Sequence, residues 1–243
     1  MLTQNNPRKP LGTKAYGHIP HLPGSRLGPG DHKCSEGQAR ICMQKARDKH
    51  DLIIVQEKLD GSCVAVARLD DKILALNRSG YLAQTSPYEH HQLFASWVRK
   101  NEGRFSSMLD NGERLCGEWL ALAHGTLYDL PPNHGPFVAF DLMRGTVRTP
   151  YYKFKGRLGE HFVMPRVIHT GGPLSIESML AVLEPSGHGA TEPVEGAVWR
   201  VERNGAVDFL AKWVRPEKID GKYLPELSGG KPIWLWRPAS DGV

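Results

Sequence analysis

The 243-residue sequence predicts an α+β fold of antiparallel β-sheets flanked by helices, and three observations carry that prediction. Apolar runs of strand length follow one another through turn signals, and only two or three segments have helical character. No G-x-G-x-x-G or G-x-x-x-x-G-K-[ST] phosphate loop occurs, and strands joined largely by hairpins exclude a doubly wound parallel sheet. With 40% hydrophobic and 23% charged residues, 26 Gly and 18 Pro, the chain is globular and loop-rich rather than collagenous, coiled-coil or low-complexity. No apolar run approaches the roughly 18 residues of a membrane span. The start, Met1 to Pro10, is polar and basic without an apolar signal core, so a cytoplasmic location without a membrane partner is expected.

Residues 1–35 are rich in Pro, Gly and His and predict an extended, wrapping loop. From Ser35 to about His50 the spacing predicts a helix capped by Ser35, with a basic exposed face. Leu52-Ile-Ile-Val-Gln56 reads as a buried strand and Ser62 to Arg68 as a second. Asp70-Asp71 turns that strand into Lys72–Asn77. Residues 88–101 read as a helix carrying Leu93, Phe94, Trp97 and Val98. Strands follow at Arg114–Leu120 and Phe137–Leu142, a helix at Ser175–Leu183, and strands at Glu195–Glu202 and Ala206–Trp213, joined by the hairpin signal Asn204-Gly205. The expected organisation is a basic loop-and-helix extension, 1–50, packed on a domain spanning 51–243.

Charge is unevenly spread. Residues 1–50 hold nine Lys/Arg against three Asp/Glu, and the remainder 22 against 23, so a polyanion should meet the N-terminal segment first, through Arg40, Lys45, Arg47 and Lys49. Cys34, Cys42, Cys63 and Cys116 form no C-x-x-C pair, which argues for reduced thiols. His18, His21 and His32 beside Cys34 match no standard zinc spacing, and His90, His91 and His124 read as surface or pocket residues.

Lys58-Leu-Asp-Gly61 places an amine between two strong strands, where Gly61 permits a tight turn. Such a lysine is a nucleophile only if cations or a metal lower its pKa from about 10.4. The string alone is weak, since Lys218-Ile-Asp-Gly221 repeats it. That copy is set aside because Pro216 and Pro225 flank it and no apolar strands bracket it.

In order, the chain reads Glu57-Lys58-Leu-Asp-Gly61, Asn77-Arg78-Ser-Gly80, Gly117-Glu118-Trp119, Phe137-Val-Ala-Phe140-Asp141-Leu142, Glu195-Gly196-Ala-Val198 and Ala211-Lys212-Trp213. This series resembles the covalent nucleotidyltransferase superfamily of polynucleotide ligases and mRNA capping enzymes, most closely its RNA ligase 2-type branch. The resemblance implies an ATP-dependent RNA ligase that joins 5′-phosphate and 3′-hydroxyl ends of a nicked duplex or broken RNA through a lysyl-AMP on Lys58. It further implies that Arg78 and Lys212 neutralise phosphate and that Glu118 serves the ribose. Glu195 would serve Mg²⁺ or Mn²⁺, Phe140 would stack on adenine, and the segment at Glu57 would meet the adenine edge. The family ends its last motif with two lysines one residue apart. Here Lys212 stands alone with Arg215 three residues on, and Arg215 is the weaker candidate for the missing charge. The 28 residues after Arg215 are too few for an appended OB-fold, which favours a nucleotidyltransferase domain working without one, with an accessory RNA-binding subunit possible. A DNA ligase, a GTP-using capping-type enzyme and a catalytically degenerate nucleic-acid-binding protein are the alternatives.

Overall fold

The computed structural model describes residues 9–132 and 134–239. Among the described residues, nine strands build two antiparallel sheets. The first has the order β7 (Val167–Gly171), β1 (Asp51–Lys58), β8 (Gly196–Arg203), β9 (Ala206–Val214). The second runs β3 (Lys72–Asn77), β2 (Ser62–Leu69), β4 (Glu113–Trp119), β5 (Phe137–Arg144), β6 (Val147–Arg148). The α+β class and every strand anticipated from the sequence are present.

Two hairpins follow from local chemistry. Asp70 and Asp71, at φ 47° and 60°, close β2 onto β3, and Asn204 with Gly205, at φ 51° and 76°, closes β8 onto β9. Positive φ at both central residues matches the right-handed twist of paired strands, and Asp and Asn tolerate it best among residues with a Cβ. The turn after Lys58 differs. β1 and β2 belong to separate sheets, so Lys58–Gly61 crosses from one sheet to the other rather than closing a hairpin. Gly61 is required there by crowding: a Cβ would lie 2.6 Å from the Trp119 carbonyl oxygen.

Strand alternation sorts the side chains. Ile53, Val55, Trp199, Val201, Ala211 and Trp213 pack outward against helices α1 (Glu36–Met43) and α5 (Ile176–Leu183). On the second sheet, Val64, Leu115, Trp119, Phe137 and Leu142 pack against α2 (Glu89–Lys100), α3 (Glu102–Met108) and α4 (Tyr151–Leu158) through Phe94, Trp97, Phe105 and Phe154. The intervening positions face inward, and the two inner faces bound a cleft. Residues 9–35 wrap as extended chain, with Ala15 and Tyr16 buried on the inner side of the second sheet. Past β9 the chain folds back irregularly apart from one turn of helix, α6 (Pro225–Ser228), and among the described residues no barrel follows. No helix among them is long and apolar enough to cross a membrane.

The N-terminal helix is shorter than its expected span. Ser35 caps it through a full capping box, but it ends at Met43, so Lys45, Arg47 and Lys49 lie in the turn that leads into β1. The single basic helix face is therefore not formed. Arg47 is engaged within the protein, donating to Asp51 at 2.8 Å and Asp208 at 2.6 Å, while Arg40, Lys45 and Lys49 are exposed.

Asp51 also accepts from Arg203 at 2.9 Å, and these contacts, Arg47 first, hold its carboxyl down to about 2. An acid depressed on folding contributes stability that is present above its unfolded pKa, about 3.9, and disappears as pH falls through its folded value. Asp51→Asn should therefore lower the urea midpoint at pH 7 and flatten its decline between about pH 4 and 2. Urea titrations across that range, on both proteins, check this.

Candidate active site

The cleft has a volume of about 1050 Å³ and takes its floor from alternate residues of the first sheet: Gln56 and Lys58 of β1, Val198 and Arg200 of β8, Leu210 and Lys212 of β9. Its opposite wall carries Cys63, Asn77, Glu118 and Phe140, with Arg78 just past the end of β3. Lys58, Arg78, Glu118, Phe140 and Lys212 therefore converge on one cavity although they span 155 positions of sequence, and Glu195 reaches it through Lys58.

Lys58 Nζ donates to Glu195 Oε2 at 2.7 Å. Register explains the contact, since Lys58 pairs with Gly196 across β1 and β8. Burial, the largest influence on Lys58, pulls its pKa down, but Glu195, Glu118 and Asp60 outweigh it and the net shift is upward. The expectation of cations lowering this pKa is thus reversed: Lys58 stands among carboxylates and holds its proton. Burial pushes Glu118 and Glu195 each up to about 7 despite the Lys58 ammonium. Both carboxylates stand beside the Lys58 ammonium, and Glu195 touches it. Among the described residues no group of three metal-ligating side chains occurs. A divalent cation held by one or two carboxylates plus ligand phosphates needs no such group, and the donor set fits that kind of site.

Glu118 Oε1 accepts from the Gly61 amide at 3.0 Å, which locks the lysine turn to the second sheet. Arg78 is exposed and has no carboxylate partner among the described residues. Its carbonyl accepts from the Ala15 and Tyr16 amides, and its guanidinium donates weakly to the Gly17 carbonyl at 3.4 Å. Lys212 lies 3.6 Å from Asp31, and its backbone bonds to Pro20 and Leu22. Asp31 in turn takes His21 at 3.0 Å. The N-terminal segment thus holds both cations, a role its composition did not signal. His18, His21 and His32 form no metal cluster with Cys34 among the described residues.

Two expectations change in detail. Glu57 borders the cleft, but alternation turns its carboxylate to the other face of β1, where it accepts from Ser186 Oγ at 2.5 Å and the Gly187 amide at 2.8 Å. Its neighbour Gln56 is on the cleft side and donates from Nε2 to the Pro165 carbonyl at 3.2 Å. A carbonyl can take only the amide NH₂, so Oε1 is the atom left without a partner among the described residues. Arg215 points away from the cleft, bonding Val194 O at 2.7 Å and Glu184 at 2.9 Å, and the position two before Lys212 is Leu210. Lys218, of the second K-x-D-G string, is buried against Asp60 at 2.6 Å and beside Thr126, beneath the first copy. The ring of Phe140 meets Tyr16 edge-on, and below it the buried Asp141 accepts from Tyr16 at 2.5 Å and Arg148 at 3.1 Å and pairs with Arg200.

Two antiparallel sheets around a cleft, with acidic and basic groups on both walls, define a fold of nucleotidyltransferase type. The RNA ligase family model matches residues 51–214, and the chain belongs to that family. The Naegleria gruberi RNA ligase solved with pyrophosphate has 19% identity and a TM-score of 0.53, covering 80% of this chain and 58% of its own. A lysine-to-alanine variant of that enzyme, solved with ATP and Mn, gives 18%, 0.53, 80% and 59%. An archaeal ATP-dependent RNA ligase gives 18% and 0.47, covering 82% of this chain and 48% of its own. The chain therefore spans about half to three fifths of the length of these proteins, and the likeness is one of fold. A comparison with curated protein sequences gives no match.

Because Glu195 keeps Lys58 protonated, Glu195→Gln should lower the Lys58 pKa and raise its acylation rate. At pH 8, with chelator present, peptide-mapped acetylation of Lys58 should speed up roughly tenfold per unit of pKa lost. An unchanged rate would show that the ion pair does not control this amine.

Proposed function

We propose that the protein is an ATP-dependent RNA ligase acting through a lysyl-AMP on Lys58. The observation that carries this reading is the Lys58–Glu195 contact at 2.7 Å inside a cleft that also holds Glu118, Phe140, Arg78 and Lys212. Lys58 Nζ, as the neutral amine, attacks the α-phosphorus of ATP, forming a P–N bond as the bond to pyrophosphate breaks, and the proton displaced from nitrogen passes to solvent in the cleft. The AMP then passes to an RNA 5′-phosphate, restoring the lysine. Attack by a 3′-hydroxyl forms the new phosphodiester and releases AMP.

Each side chain has a physical task in that sequence. Arg78 and Lys212 balance phosphate charge, the guanidinium gripping two oxygens at once. Glu118, braced by the Gly61 amide, accepts from the ribose. Phe140 and Val198 bracket the base, and Gln56 Oε1 accepts from the adenine amino group. A divalent cation, Mg²⁺ or Mn²⁺, bound at Glu195 would neutralise triphosphate charge. An ion held there would take Glu195 away from Lys58, whose burial favours the neutral amine once that carboxylate no longer pairs with it. The ATP and Mn in the Naegleria variant support this choice of cosubstrate and ion class. Residues 1–50 and 51–243 act as one unit, with Pro20 to Asp31 serving the nucleotide site and the exposed Arg40, Lys45 and Lys49 meeting the RNA backbone. A cytoplasmic location suits ATP as cosubstrate and four free cysteines.

With α-labelled ATP, wild-type protein should become labelled, and Lys58→Arg should not, because only an unhindered neutral amine forms the phosphoramidate. Glu195→Ala and Lys212→Ala should each slow labelling about 10²- to 10³-fold while circular dichroism stays native. AMP mapped to Lys218, or an unlabelled wild type, would overturn the reading.

Base choice gives a separate check. Gln56 offers an acceptor that matches the amino group of adenine and repels the carbonyl oxygen of guanine, leaving a buried acceptor unpaired. GTP should label Lys58 far more slowly than ATP, and Gln56→Leu should narrow that gap by slowing the ATP reaction. Competition labelling with both nucleotides measures the ratio directly.

A further inference from the structure

The cleft extends past the carboxylate and phosphate groups into a second lobe that none of the tasks above uses. Its wall is the start of α2, with Tyr88, His90 and His91, together with His124, Glu226 and Trp234 from later in the chain. The rings cluster: His90 and His91 have centroids 4.3 Å apart, His90 and His124 5.7 Å, and Tyr88 lies 5.6 Å from His90. Arg237 stacks on Trp234 at 4.1 Å and bonds Glu89 at 2.8 Å, tying the returning C-terminal segment to α2. Ser62, at the end of the lysine turn, contacts His124 Nε2 at 3.0 Å, so the lobe begins where the lysyl-AMP turn ends.

Three properties narrow what this lobe can hold. It offers aromatic surface that is open, with Tyr88 half exposed. It offers hydrogen-bonding nitrogens without protein partners: Ser86 holds His91 Nδ1 at 2.8 Å, whereas neither ring nitrogen of His90 is bonded among the described residues, and none of these open nitrogens is sealed off. It lacks net positive charge, because Glu89 and Glu226 offset Arg237, and burial first, then mutual repulsion, pushes His90 down to about 3 and His91 down to about 4. A phosphate belongs with Lys58, Arg78 and Lys212 and is unwelcome here. An unpaired base on a ribose with free hydroxyls matches all three properties, since single-stranded RNA is read by stacking on Tyr, Trp and His and by hydrogen bonds to 2′-hydroxyls.

Resting on the ligase reading above, we propose that the lobe formed by Tyr88, His90, His91, His124 and Trp234 binds the terminal nucleoside at the 3′-hydroxyl end of the RNA. The 5′-phosphate end goes to the cationic half of the cleft, so the two ends are sorted by charge before they are joined. Tyr88 and Trp234 supply stacking, and the imidazoles, neutral at physiological pH, bond the ribose hydroxyls and base edge.

The test uses the full chain and a short single-stranded RNA with a 3′-hydroxyl and 2-aminopurine as its last nucleotide, compared with the same RNA carrying 2-aminopurine internally. Wild-type protein should quench the terminal probe more than the internal one. Tyr88→Ala/Trp234→Ala should lose that quenching and bind the RNA about 5- to 150-fold more weakly for each stacking contact removed. His91→Gln, which keeps a polar side chain of similar length, gives a second variant that leaves the aromatic pair in place and should weaken binding to a lesser degree. Lys58 labelling by ATP should match wild type in all variants, which shows that they fold and separates this inference from the ligase reading. Wild-type labelling with unchanged terminal quenching in the double variant would overturn the inference alone. Tighter binding of an otherwise identical RNA ending in a 3′-phosphate would overturn it too.

Discussion

The Lys58–Glu195 pair organises this molecule. An ammonium and a carboxylate buried together cost several kcal/mol each to desolvate, and their mutual attraction does not reliably repay that cost. Two hydrophobic residues would pack the sheets more stably. Polar groups at Lys58, Glu118 and Lys212 line the space between the inner faces, which Arg200 joins at one point through Asp141 and the Phe140 carbonyl, and the outer faces, filled by Trp119, Phe137, Trp199 and Trp213, carry the stability instead. The cleft is the space that this division of labour leaves open.

The two ends of the described chain complete that space. The N-terminal strap fixes Arg78 through backbone bonds at Ala15 and Tyr16 and Lys212 through Pro20, Leu22 and Asp31. The segment after β9 returns to bury Lys218 against Asp60 and to set Trp234 beside Leu122. Neither has regular structure to speak of, yet each is anchored by hydrogen bonds to strands that carry site residues. Precise side-chain placement thus comes from irregular chain clamped to regular sheet, which supplies rigidity that a free loop lacks.

Legibility in the sequence followed the strength of local signals. β1, β2 and β8 read clearly because buried or alternating apolar runs leave one interpretation, and the Asp70-Asp71 and Asn204-Gly205 turns fixed two registers. β7, with His169 and Gly171 in five residues, and α4, broken by Gly156 and rich in Lys and Arg, gave weak periodicity and went unread. Of the residues that the order of motifs singled out, Lys58, Arg78, Glu118, Phe140 and Lys212 line one cavity, and Glu195 touches it through Lys58. That order did not indicate that Lys58–Gly61 joins two sheets, that Gln56 rather than Glu57 faces inward, or that Asp31 and His21 stand behind Lys212. Those facts depend on strand parity and long-range pairing, and a motif is blind to both.

Sheet order has a consequence for biosynthesis. The second sheet is assembled mostly from neighbours, β2 with β3 and then β4 with β5, whereas β1 pairs with β7 and β8, more than a hundred residues downstream. As the chain leaves the ribosome from its N-terminus, Leu52-Ile-Ile-Val emerges early and must wait for both partners. A waiting apolar strand is a template for wrong pairing, and long-range pairing is slow. Asp51 at one end, and Glu57 and Lys58 at the other, place charges on both flanks of that run, where they discourage association between nascent copies. The residues that later form the Lys58 turn thereby also guard an exposed apolar strand while the nascent chain is still incomplete.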